Sequence, residues 1–299
     1  LHLVLKDLSK HKYLYIMLVP VVMYYIVIHY FPIYGLVIAF KDFTPFKGIG
    51  NSAWVGMKHF EAFFNSYYFG RLLRNTVLIS FYDLIFGFPA PIILALILNE
   101  VKRQAFKRFV QTVSYLPHFI SIVVVAGMII DFSARDGVIN QVLAWFGSTP
   151  VSFLQNQDWF RTIFVGSNIW QGIGWGSIIY LAALSAISPE LYEASRVDGA
   201  NRWSQMLHIT IPGIMPTIII MLILRVGHMM DVGYEKVILL YNPSIYETAD
   251  VISSFIYRKG LLEMSYSYSA AVGLFNSVIN FALLLSVNRM ARKTGTSLW

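Results

Sequence analysis

The run Ile220–Tyr234 is apolar apart from a few positions, and three of these, Arg225, His228 and Asp231, recur at every third residue. On a helix that spacing drifts only slowly around the axis, so the three share one face. An ionisable group at membrane depth is costly to expose to lipid, which makes such a face a candidate solute path. A guanidinium and an imidazole there would bind carboxylates or crowded hydroxyls. Two plainer readings fit the same residues: Arg225 and Asp231 lie near the outer end and snorkel, or they pair with each other. Tyr234 is a weaker candidate on the same stretch.

A second group is Asn168-Ile169-Trp170-Gln171-Gly172-Ile173-Gly174-Trp175-Gly176. The flat rings of Trp170 and Trp175 suit the apolar faces of sugars, and the amide of Gln171 suits their hydroxyls. Gly172, Gly174 and Gly176 permit close approach of a ligand or of another helix. An interfacial tryptophan belt with ordinary small-residue packing explains the same pattern. The stretch from Tyr241 to Tyr268 carries Tyr246, Phe255, Tyr257, Arg258 and Lys259, a composition that suits either a protein-docking rim or a headgroup anchor.

A third group is short and polar: Ser188-Pro189-Glu190-Leu191-Tyr192-Glu193-Ala194-Ser195-Arg196-Val197-Asp198-Gly199-Ala200. Ser188 suits an N-cap, Pro189 the first helical position, and Glu190 the first turn, where the helix dipole favours an anion. Gly199 suits a left-handed C-terminal cap. The spacing predicts a short helix that levers the spans on either side, or one that merely closes a loop.

Catalytic chemistry is not expected. No Gly-x-x-x-x-Gly-Lys-Ser/Thr phosphate loop and no His-Glu-x-x-His occurs, the histidines are scattered, and cysteine is absent. His118, after Pro117, is read as structural or interfacial. No metal ligands and no cofactor of the chain's own are predicted.

The elements that must position these groups follow from composition. Of 299 residues, 57% are hydrophobic and 13% charged, which excludes an ordinary soluble enzyme, a nucleic-acid module and a disordered chain. The apolar residues form six blocks, near 14–39, 76–98, 113–130, 162–187, 211–230 and 270–287. Each approaches the roughly 20 residues that a helix needs to cross a bilayer. The expected fold class is therefore an all-α membrane protein of six transmembrane helices, a single domain over 1–299, with a cytoplasmic loop at 188–210. The first block is too long for a cleavable signal, and the start at Leu1, without methionine, reads as a truncation. Prolines inside or beside the blocks kink their helices, and either only shape the packing or mark broken helices that line a cavity, Pro89 and Pro91 above all for the latter.

Net charge is +7. Lys6, Lys10 and Lys12, then Lys102, Arg103, Lys107 and Arg108, then Arg289, Arg292 and Lys293 place both termini on the cytoplasmic side. Lys41, Lys47, Lys58, Arg71 and Arg74 oppose that reading from a longer outer loop, where the rule weakens.

Glu193-Ala194-Ser195 followed by Gly199-Ala200 and Ile211-Pro212 resembles the EAA loop of permease subunits in binding-protein-dependent ABC importers. The wider segment 187–200 is similar to that of the MalF-like sugar permeases, as are Trp54-Val55-Gly56 with Phe60 and Arg74-Asn75-Thr76. The resemblance covers nearly the whole chain. Ser195 stands where the motif usually has alanine, and a small effect is expected of it. The resemblance implies the six-span type I importer fold and a short cytoplasmic coupling helix. It further implies partners: a second, homologous permease, two copies of a cytoplasmic ATPase that bind ATP and Mg, and an extracytoplasmic solute-binding protein. The implied cargo is an oligosaccharide, acidic ones from alginate or pectin included, and the implied location is the bacterial cytoplasmic membrane. Glu190, Tyr192, Glu193, Ala194, Ser195, Asp198 and Gly199 would form the ATPase contact, with Glu193 offered to a basic group and Gly199 making the turn. Gln171, Gly172 and Trp175 resemble sugar contacts. The competing reading is a secondary transporter of a small polar or anionic solute, which would be expected to show paired inverted repeats.

Overall fold

The computed structural model describes residues 10–292 and residue 295; Lys6 and Lys293 lie outside them. Helix dominates, as long apolar runs require when no water is available to the backbone. The first block forms α1 (Lys12–Phe40), followed by the short α2 (Lys58–Phe64). The second forms α3 (Tyr68–Glu100). Its two prolines do not snap it. A π turn over Asp83–Gly87 precedes Pro89 and Pro91, with the Phe88 N–H reaching the Asp83 carbonyl at 3.1 Å. Proline cannot donate and crowds the carbonyl four residues back, so a locally widened turn relieves both problems.

The third block is expected as one helix over 113–130, and the structure differs. Here α4 (Gln104–Phe119) and α5 (Ile122–Trp145) meet at a 101° bend. Pro117 sits in a 3-10 turn that ends α4, Ile120 and Ser121 are extended, and the Ser121 hydroxyl caps α5 by accepting from the Val124 N–H at 3.4 Å. Proline followed by an N-capping serine is a stop and a restart.

The fourth block is one unbroken helix, α6 (Phe160–Ser185), and α7 (Pro189–Val197) turns away from it by 67°. The segment 188–210, expected as a loop carrying one short helix, is helical beyond that helix as well, because α8 (Arg202–Gly227) starts at Arg202 and not at Ile211. Asn201 caps it, accepting from the Ser204 N–H at 2.9 Å, and a π turn over Met206–Thr210 precedes Pro212, the same device as in α3. Next come α9 (Tyr234–Leu240), α10 (Ile252–Tyr257) and α11 (Tyr266–Ala291). Among the described residues four helices are long and apolar enough to cross a membrane, and six if each bent pair forms one span.

The chain falls into two compact units. One comprises the described residues up to 65 together with 258–274. In it β1 (Lys41–Asp42) pairs antiparallel with β2 (Ala53–Trp54), Phe40 stacks on Trp54 at 5.7 Å, and Ala39, Phe60 and Ala271 form a small core. Lys58 donates to Asp42 at 2.7 Å and holds that carboxyl below its ordinary range. The Ser267 hydroxyl donates to the Lys41 carbonyl at 2.6 Å and accepts from the Phe43 N–H at 2.9 Å.

The other unit, residues 66–257 with those from 275 onward, holds the main core around Ile79, Phe160, Phe164, Val237, Leu240 and Val251. The first turns of α3 grip the segment 247–252. Arg74 pairs with Glu247 at 2.7 Å, Asn75 donates to the Glu247 and Asp250 carbonyls at 2.9 and 3.0 Å, and the Ile252 N–H donates to Thr76 at 3.0 Å. Arg71 faces the buried Asp250 carboxylate at 3.3 Å.

Candidate functional site

A cavity of about 630 Å³ opens within the larger unit. That is ample for a small ligand. Asp83, Gly87 and Pro91 of α3, His118 of α4, Asn168, Gln171 and Gly172 of α6, and Arg225 of α8 contribute to its wall, with His228 just beyond α8. A smaller cavity of about 190 Å³ shares Asp83, Asn168, Arg225 and His228, and adds Asp231. The i, i+3, i+6 set of Arg225, His228 and Asp231 is thus brought to one place, although α8 ends at Gly227 and the last two sit in the turn that follows.

Arg225 and Asp231 do not pair with each other, as one reading of the sequence allowed. The Arg225 Nη2 instead meets the Asp83 carboxylate from the π turn of α3. Asp231 accepts from the Asn276 amide at 2.9 Å and faces His228 Nδ1 at 3.3 Å. The turn between His228 and Asp231 is held further by Ser80, whose hydroxyl donates to the Met229 carbonyl, and by Asn280, which accepts from the Met230 N–H at 2.9 Å.

The α6 candidates divide. Gln171 lines the cavity, but its amide is partly engaged, donating to the Ile120 carbonyl at 3.3 Å where the break after α4 leaves that group without a helical partner. Gly172 faces open space. Gly174 instead packs against the Ser114 carbonyl of α4, and Gly176 lies against Pro91 of α3, with room for a Cβ only 3.0 Å from its ring. Gly174 therefore serves helix packing, Gly172 the cavity, and Gly176 both, since it lies in the cavity wall as well as against Pro91.

Trp170 and Trp175 are both partly exposed, and neither is in the wall of either cavity. Trp175 stacks face to face on His118 at 4.5 Å and 2°, with Phe119 edge-on at 5.6 Å. One face of the indole is thus already covered, and His118, read from sequence as structural or interfacial, is the ring that meets the cavity. Tyr234 stacks on Tyr257 at 5.8 Å, away from the wall.

Sequence reasoning missed Asp83 and Lys236. Asp83 lay in a block read only for its length, and only the later proline pair marked the turn that carries it. Lys236, next to Glu235 in a connecting segment, resembles a surface charge, yet it is 3% exposed. Its ammonium donates to Asn168 Oδ1 at 2.8 Å and lies 5.5 Å from the Phe164 ring, and burial pulls its pKa down to about 8.

The second site is α7. Ser188 caps it, accepting from the Glu190 N–H at 3.3 Å. At the other end Gly199 has φ +78°, the Gly199 N–H reaches the Arg196 carbonyl at 3.1 Å, and the Ala200 N–H reaches the Ser195 carbonyl at 2.9 Å. This pair of bonds closes the helix with a left-handed glycine. Glu190, Leu191, Glu193, Ala194, Val197, Asp198 and Gly199 are exposed. Tyr192 and Ser195 are not; they turn inward to α8. The Tyr192 hydroxyl lies 3.0 Å from that of Thr210, and Gln205 Nε2 donates to Ser195 Oγ at 2.8 Å. Serine in place of the motif's usual alanine thus supplies one bond to α8 that alanine could not.

Long apolar helices, interrupted by prolines around a cavity that Asp83, His118, Gln171 and Arg225 line, and a short polar helix turned away from α6, define a membrane transport subunit. Residues 87–295 match the family of binding-protein-dependent transport system inner membrane components, and the chain belongs to it. It is 44% identical over 287 residues to protein LplB of Bacillus subtilis (strain 168), covering 96% of this chain and 90% of that one. It is 43% identical over 289 residues to the polygalacturonan/rhamnogalacturonan transport system permease protein YteP of the same organism, again covering 96% and 90%. Its fold matches that of a bacterial ABC transporter involved in the import of the acidic polysaccharide alginate, with a TM-score of 0.90 at 45% identity over 97% of this chain and 98% of that one. A bacterial alginate ABC transporter in complex with an alginate pentasaccharide-bound periplasmic protein gives 0.90 at 44% identity, over 98% of both chains.

Proposed function

We propose that this chain is one half of the pore of an ATP-driven importer that carries acidic oligosaccharides into the cell by alternating access. The observation that carries the cargo class is the cavity wall, where Arg225 and His228 stand with Asn168 and Gln171: two groups suited to carboxylates beside two amides suited to hydroxyls. The relatives named for polygalacturonan and alginate support the same class.

The remaining parts of the assembly follow from the family. A second permease completes the pore, two ATPase subunits carry ATP and Mg, and a solute-binding protein loads the outer face. The exposed side of α7, with Glu190, Glu193 and Asp198 around Leu191 and Val197, is the surface offered to an ATPase, with Glu193 set against a basic group there. This orientation puts both termini in the cytoplasm. Purification tests the partnership: a tagged chain brings down an ATPase and a second permease, whereas a self-contained secondary transporter brings down neither. The ATPase activity of the reconstituted assembly tests the cargo. Oligogalacturonates or oligoalginates stimulate it through the binding protein more than neutral oligosaccharides of equal length do; equal or greater stimulation by the neutral sugars rejects the acidic class.

A further inference from the structure

We infer that Asp83 is a built-in stand-in for the cargo's carboxylate: it holds Arg225 in the cavity wall and gives it up when an acidic sugar arrives. The inference rests on the acidic-cargo reading above.

Four observations converge on it. The Arg225–Asp83 pair lies in the wall of both cavities. The Asp83 side chain is 13% exposed and the Arg225 side chain 52% exposed, so the guanidinium is open to an incoming anion while the carboxylate is seated. The seat is built. Gly87, one turn on, leaves the space that the carboxylate fills, and a Cβ there would stand 2.9 Å from Asp83 Oδ1. The π turn that begins at Asp83 aims it inward, as such turns commonly do at functional sites.

The chemistry is an exchange of like for like. A guanidinium binds carboxylates through paired N–H donors, and a uronate offers the same two oxygens as Asp83. Asp83 thus keeps Arg225 neutralised, and small inorganic anions that bind a guanidinium weakly do not displace it. A polymer carboxylate presented at high local concentration by a docked binding protein does. Asp83 is thus a specificity-determining residue, setting how strongly an anion must bind Arg225 to pass.

The test is equilibrium binding of a fluorescent acidic trisaccharide, and of its carboxyl-reduced neutral counterpart, to the complete transporter in nanodiscs. Wild type, Asp83→Asn, Arg225→Gln and the double variant are compared. Asp83→Asn is expected to bind the acidic sugar about tenfold more tightly and the neutral one unchanged. Arg225→Gln is expected to lower acidic binding to the neutral level, and the gain from Asp83→Asn is expected to vanish in its background. Unchanged or weaker acidic binding by Asp83→Asn overturns the exchange and marks Asp83 as a plain tether. Equal gains with and without Arg225 overturn it in favour of simple repulsion. If wild type binds the neutral sugar as well as the acidic one, the cargo class itself fails, and this inference fails with it. Gly87→Ala supplies a variant that leaves both charges in place: crowding Asp83 off its seat is expected to tighten acidic binding in the same direction, and no change counts against the seat.

Discussion

Gln205 Nε2 donates to Ser195 Oγ at 2.8 Å, and this bond ties the short helix α7 to the base of α8. Gln205 also reaches the Tyr192 carbonyl at 3.3 Å, and the Tyr192 hydroxyl lies 3.0 Å from that of Thr210. The inward face of α7 is therefore a polar latch, while its outward face is free for a partner. Ser195→Ala leaves the buried Gln205 amide without that acceptor, at a cost of about 1 kcal/mol. Fewer sugars delivered per ATP hydrolysed is the expected outcome, with ATPase activity retained, and the transport-to-hydrolysis ratio in proteoliposomes measures it. A ratio equal to wild type would show that the latch transmits nothing.

Gly199 closes α7 at φ +78° with no neighbour within 4 Å of a built Cβ. Space is therefore not the constraint; the backbone is. A residue with a Cβ in this region costs about 1–2 kcal/mol, with asparagine and aspartate tolerated best. Between uncharged replacements, Gly199→Val is accordingly expected to lower uptake more than Gly199→Asn. Gly199→Asp adds a charge on the exposed face and is expected to abolish uptake while the subunit stays in the membrane. Cell uptake with an immunoblot of membranes separates these effects.

Gly174 and Gly172 are two residues apart and differ in kind. A Cβ on Gly174 collides with the Ser114 carbonyl of α4, whereas one on Gly172 enters open space at the cavity wall. Gly174→Ala should cost about 1–3 kcal/mol of stability through overpacking. Gly172→Ala should leave stability nearly unchanged and weaken cargo binding. Thermal unfolding in detergent and sugar-stimulated ATPase activity, measured on both variants, test the division; a reversed order refutes it.

Lys236 gives a pH signature outside the spans. Its pKa is pulled to about 8 by burial, from 10.5 when unfolded. Below about pH 8 both states carry the charge and the native state bears the full penalty. Between 8 and 10.5 the unfolded chain binds more protons, so stability rises with pH. The rise is up to about 3 kcal/mol, each pKa unit being worth about 1.4 kcal/mol. Lys236→Met should flatten this rise, read as unfolding temperature against pH. An identical slope in the variant would assign the effect elsewhere.

Length and composition made the apolar helices legible, because a block of continuous apolar residues has few other uses. The caps of α7 were legible for the same local reason: Ser188, Pro189 and Gly199 each act within a turn of their own position. The break after Pro117 was not, since proline inside an apolar block is also compatible with a kinked continuous helix, and the choice fell to Ser121. The pairings were invisible as well. Arg225 of α8 meets Asp83 of α3, far away in sequence, and no spacing within one helix reports that. Trp175 looked like a sugar platform by type alone, but one of its faces is covered by His118 and the ring stands outside the cavity wall.

The grip of α3 on residues 247–252 joins two distant tasks to one rod. Asn75, which holds that segment, and Asp83, which holds Arg225, are eight residues apart on the same helix, a rise of about 12 Å. Any displacement of residues 247–252 would therefore reach the partner of Arg225 along the backbone of one helix, without crossing the cavity.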